Sequence, residues 1–110
     1  MTMSMWPRLD DMEKRFQELE LLLARPDIAG DYEKTRFLAQ EISSIDDTVG
    51  KYRDYKKVAR AIEETRALAQ DARDEEIAAL AKEEMSSLQN RREALLAALR
   101  EATAPRDPRD

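Results

Sequence analysis

Carboxylates have the widest chemical reach in this chain, recurring as Asp46-Asp47, Asp74-Glu75-Glu76 and Glu83-Glu84. A carboxylate pair of the glycosidase kind needs one member protonated and the other ionised near neutral pH, and a desolvating pocket creates that split. Thin bundles of helices offer no deep concavity, so these runs are expected to be solvated helix faces. The stretch from Asp71 to Glu76 has some acids of a calcium loop, but not its alternating oxygen ligands, central glycine or closing glutamate. With no cysteine and no histidine, the chain has no Cys/His zinc site, no Ser-His or Cys-His nucleophile pair and no disulfide. Two glycines are too few for a phosphate-cradling loop or a dinucleotide fingerprint. The expectation is a chain that is not itself an enzyme, with no catalytic residue, cofactor or metal.

The stretch that breaks the acidic pattern is Lys51-Tyr52-Arg53-Asp54-Tyr55-Lys56-Lys57-Val58-Ala59-Arg60. Lys51, Arg53, Lys56, Lys57 and Arg60 are the candidate partner contacts, suited to RNA phosphates or an acidic protein surface. A purely structural account also exists: Tyr52 and Tyr55 tuck into a helix seam, while Lys56 and Arg60 pair with Glu63 and Glu64. Trp6 reads as a hydrophobic staple on the first helix and Met85 as core filling.

These residues must sit on helices. Of 110 residues, 42% are hydrophobic, 39% charged and 5% aromatic, the makeup of solvated helices with narrow apolar stripes. A net charge of −5 disfavours direct binding of duplex nucleic acid, which draws its affinity from phosphate neutralisation, so a protein partner is the default. Met1 to Pro7 lacks the basic and apolar regions of a secretory signal, and no stretch approaches a membrane span. A cytoplasmic protein with no membrane partner is expected.

Leu9, Met12, Phe16, Leu19 and Leu23 recur at three and four, predicting a first helix from Pro7 to about Ala24, with Asp10 and Asp11 complementing its dipole. Pro26 stops it, and Pro26 to Asp31 reads as a tight connection with Asp31 capping the next helix. That second helix carries Leu38, Ile42, Ile45, Val49 and Tyr52, then shifts phase through Tyr55, Val58 or Ala59, and Ile62, and ends near Ala69, with Gly50 a weak point inside it. Asp74 is placed to cap a third helix with the seam Ile77, Ala81, Met85, Leu88, Arg92, Leu95 and Leu99, where Arg92 lays its stem on the stripe and its guanidinium in water. At about 1.5 Å per residue the second and third helices would span roughly 55 and roughly 40 Å. The predicted fold is all-α: an elongated antiparallel helical bundle of three helices with a two-helix arm, occupying residues 1–104, followed by a Pro-containing linker at 105–110.

The run Glu20-Leu21-Leu22-Leu23-Ala24-Arg25-Pro26-Asp27-Ile28, followed by Asp31-Tyr32-Glu33-Lys34, resembles the opening of the release factor 1 family, the bacterial-type class I peptide chain release factors for UAA and UAG. Tyr52-Arg53-Asp54-Tyr55-Lys56-Lys57-Val58 is similar to that family's second helix, and Pro105-Arg106-Asp107-Pro108 looks like the Pro-Lys-Asp-Pro that closes its first domain. Glu101-Ala102-Thr103, in place of an apolar run, and Gly50 depart from the pattern. The resemblance implies an N-terminal helical domain that docks at the ribosomal stalk base, with the class II release factor a further candidate partner. The Gly-Gly-Gln and Pro-x-Thr motifs of release and stop-codon reading are absent, and the resemblance puts them in domains downstream of the linker. The alternative is a coiled-coil adaptor or oligomerisation module unrelated to translation, whose thermal midpoint would rise with concentration.

Overall fold

The computed structural model describes residues 4–104, whose regular elements are four helices: α1 (Met5–Leu23), α2 (Pro26–Ala29), α3 (Tyr32–Asp71) and α4 (Glu75–Thr103). The predicted linker at 105–110 lies outside the described residues. The described residues divide into two compact units, one comprising 4–50 together with 102–104, the other Lys51–Glu101.

In the first unit, α1 and the opening half of α3 are antiparallel. The Arg15 guanidinium grips the Glu41 carboxylate with two nitrogens, Nε and Nη2, the latter 2.8 Å from Oε1. Those hydrogen bonds hold the Glu41 carboxyl below the usual carboxylate range and raise the Arg15 pKa. Leu9 and Leu19 are fully buried and Val49 nearly so, as the three-and-four spacing requires. Arg8 Nη1 donates to the carbonyl of Thr103, tying α1 to the end of α4 inside this unit.

Local chemistry sets the helix ends, and here the structure corrects three expectations. Pro26 does stop α1, but its fixed φ also suits the first position of a new helix, so Pro26–Ala29 forms a single helical turn rather than a plain connection. The Ala29 N–H donates to the Arg25 carbonyl at 2.8 Å, and Thr35 Oγ1 donates to the Ile28 carbonyl at 2.8 Å, fastening that turn to α3. Helix α1 begins at Met5 with Ser4 as its N-cap, so Asp10 and Asp11 lie beyond the first turn. Trp6 is therefore inside the helix and 37% exposed, whereas a staple residue precedes the cap.

Both predicted aspartate caps are in place. Asp31 Oδ1 accepts from the Lys34 N–H at 3.1 Å and Asp74 Oδ1 from the Glu76 N–H at 2.8 Å. Helix α3 passes through Gly50 without a break, and no side chain or other backbone lies within 4 Å of where a Cβ would stand. Because the site is helical, exposed and open, Gly50→Ala should raise the unfolding free energy by about 0.5–1 kcal/mol in urea denaturation. A destabilising result would mean that α3 is not an open, regular helix at Gly50.

The second unit is an antiparallel hairpin of the later part of α3 and most of α4, the two-helix arm the sequence predicts. Asp54 faces Arg91 at 4.0 Å, and one shallow groove is lined by Asp54, Lys57, Val58 and Ala61 on α3 and by Glu84, Ser87, Leu88 and Arg91 on α4. Tyr52, Val58, Ile62, Ala81 and Leu99 are buried. Two seam expectations fail. Ile77 is 45% exposed, and the Arg92 guanidinium is not wholly in water: its Nε is buried without a hydrogen-bond partner, with Nη2 3.8 Å from Glu93. Periodicity names a face, but only an opposing side chain of sufficient size covers it.

Candidate functional site

The five cations singled out from the sequence do not form one surface. Lys56 and Lys57 each stand three or four residues from both Arg53 and Arg60, which gathers the four within about 100° of helical rotation, on one face of α3, as a compact quartet. The face lies away from the seam of Tyr52, Val58 and Ile62: Lys56, Lys57 and Arg60 are exposed and Arg53 is half-buried. Lys51 precedes Arg53 by two residues, about 200° of helical rotation, so it turns away from the quartet and is half-buried.

The tyrosines follow the structural account. Tyr52 is 6% exposed and Tyr55 half-buried, so neither offers a free ring face for stacking. Lys56 Nζ lies 4.5 Å from the centroid of the Tyr52 ring, a cation–π arrangement that fixes its stem along the helix. Glu63, one expected partner of the cations, accepts a 2.8 Å hydrogen bond from Arg66.

Sequence reading missed Arg91. It stands on α4 across the groove from Lys57 and beside Asp54, so the basic surface of this unit continues from one helix to the other. No local signal finds it, because the pairing of Arg91 with Asp54 depends on the register of two helices that meet far apart in sequence. What the arrangement offers is a concentration of positive charge in a chain of net charge −5, without an apolar centre. Such a surface attracts and orients an anionic partner.

The first unit has an open apolar groove lined by Leu22, Ile28, Glu33, Lys34, Phe37 and Leu38, whose two charged residues lie side by side on α3. Among the described residues no group of three or more Asp, Glu, His or Cys could hold a metal ion, and no helix is long and apolar enough to cross a membrane.

Residues 12–110 match the family model described as the PCRF domain. Among curated proteins, the chain is 41% identical over 106 residues to a peptide chain release factor 1 from Listeria welshimeri. It is 37% identical to one from Brevibacillus brevis and 35% identical to one from Geobacillus kaustophilus. Each alignment covers 96% of this chain and 30% of the relative, so the chain spans under a third of the length of these relatives. No solved structure matches it.

Proposed function

This chain belongs to the PCRF-domain family, and on that premise we propose that it acts in translation termination as the N-terminal helical domain of a release factor 1 protein. Its place of work is the cytoplasmic ribosome at UAA and UAG stop codons, where it docks at the stalk base, with the class II release factor as a further partner. The observation that carries this reading is the match along 96% of the chain to proteins of that name, at 35–41% identity. The domain's task is to bind and orient. Peptide release and codon reading belong to the remainder of such a factor, so no catalytic role is assigned to any residue here.

In this reading Arg53, Lys56, Lys57 and Arg60 supply the docking contacts, and Lys51, on another face of α3, does not. Phosphate-rich ribosomal surfaces are anionic, and a basic quartet draws the domain to one orientation even though the chain as a whole is acidic.

The test is competition. Purified chain, added in excess to bacterial ribosomes programmed with UAA, should slow peptide release by full-length release factor 1 from a relative, in proportion to the ribosome sites occupied. Unchanged release at saturating chain, together with a thermal midpoint that climbs with concentration, would replace this reading with that of a self-associating adaptor.

A further inference from the structure

The closed end of the second unit carries a surface distinct from the basic quartet. The groove described above contains Asp54 and Ala61 on α3, and Glu84, Ser87 and Arg91 on α4. A step of seven residues returns to nearly the same face of a helix, within about 20°. From Ala61 that step reaches Leu68, from Glu84 it reaches Ile77, and from Ser87 it reaches Leu80. The three side chains therefore stand together on one side of the hairpin, near its turn. All three are exposed, Leu68 at 55%, Ile77 at 45% and Leu80 at 65%.

The surroundings of this triad have one sign. Helix neighbours lie three and four residues away, and around Leu68, Ile77 and Leu80 those positions hold six acids and one base, Arg73. Across the whole end, from Ala61 to Glu84, eight acids stand against three bases. An apolar centre inside a charged rim is the layout of a protein-binding surface, in which the centre is desolvated and the rim selects the partner.

We propose that the Leu68–Ile77–Leu80 surface is a docking site for a cationic amphipathic helix of a partner protein, which lays apolar residues on the triad and Lys or Arg side chains on the acidic rim. The sign of the rim decides between occupants. RNA would set its phosphates against six carboxylates, and a second copy of the chain would set the same carboxylates against each other; both arrangements are repulsive. A helix is the natural complement because its residues at three-and-four spacing form a narrow apolar stripe flanked by charge. The site does not depend on the ribosomal reading and uses none of the quartet.

The experiment uses two peptides of identical composition, about 18 residues of Leu and Lys. In one the order gives an amphipathic helix; in the other it is scrambled so that no apolar face forms. Calorimetric titration of the full chain at physiological salt should show the amphipathic peptide binding at least tenfold more tightly than the scrambled one. The triple variant Leu68→Ala, Ile77→Ala, Leu80→Ala keeps good helix formers at exposed positions and should abolish that difference. A second variant, Glu64→Gln, Glu76→Gln, Glu84→Gln, should weaken binding of the amphipathic peptide and flatten its salt dependence. Equal binding of the two peptides, an unaltered preference in the triple alanine variant, or direct binding of an RNA oligonucleotide to the full chain that the triple alanine variant loses would each overturn the proposal. Ribosome competition is read separately, so either inference can fail while the other stands.

Discussion

Leu19→Ala should lower the unfolding free energy by about 3 kcal/mol, the largest loss expected from any single truncation in the first unit. Leu19 has no solvent exposure, and it sits on the face of α1 that meets α3, one turn beyond the Arg15 grip on Glu41. A helix of 19 residues has little stability of its own in water, so α1 is held by what it buries. Removing three side-chain carbons there takes away transfer free energy and leaves a cavity that two rigid helices close only in part. Against a total stability of about 5–15 kcal/mol the change is severe, and the urea midpoint should fall accordingly. Leu21→Ala, two residues away and 74% exposed, provides the control and should alter stability by less than about 0.5 kcal/mol. Similar losses for the two would mean that α1 is anchored by something other than its buried stripe.

Much of this architecture was legible because it is local. Pro26, Asp31 and Asp74 act on residues within one turn, and a stop or a cap is readable at that range. The seams through Leu9, Leu19, Val49, Tyr52, Val58, Ile62 and Leu99 followed from spacing alone, because the helical period gathers such residues on one face. The four-residue α2 escaped notice since one turn is too short to show a period. Ile77 was misplaced for a different reason. It continues the seam of α4 in phase but lies in that helix's first turn, beside the hairpin's turn, and phase alone does not supply an opposing side chain to cover it.

The site divides along the same line. The five cations of α3 were visible together as one basic stretch, but their division into a quartet and Lys51, on another face, follows only from the helix. Arg91 and the exposed triad were not visible, because both depend on which residue of α4 stands opposite which residue of α3. Within a chain of net charge −5, the second unit concentrates its bases near Asp54 and Arg91 and its acids near the turn. Local charge, not the sum, decides which partner each surface admits.

That separation leads to the second large effect. Replacing Arg53, Lys56, Lys57 and Arg60 together by glutamine should weaken association with ribosomes by on the order of tenfold, about 1.4 kcal/mol, while leaving the fold intact. Glutamine is nearly as good a helix former as lysine or arginine, and three of the four side chains are exposed, so the unfolding free energy should move by less than about 1 kcal/mol. Salt provides a sharper signature than affinity. If the quartet meets phosphates, losing four charges should make the slope of log affinity against log salt shallower by roughly three. Lys51→Gln is the internal control: it removes a cation from the same decapeptide but from a different face, and should change binding less than about twofold. Binding measured by ribosome co-sedimentation across a salt series separates the cases. A Lys51 effect as large as that of the quartet would mean that net charge, not a defined face, drives association, and an unchanged quartet variant would move the docking contacts elsewhere on the domain.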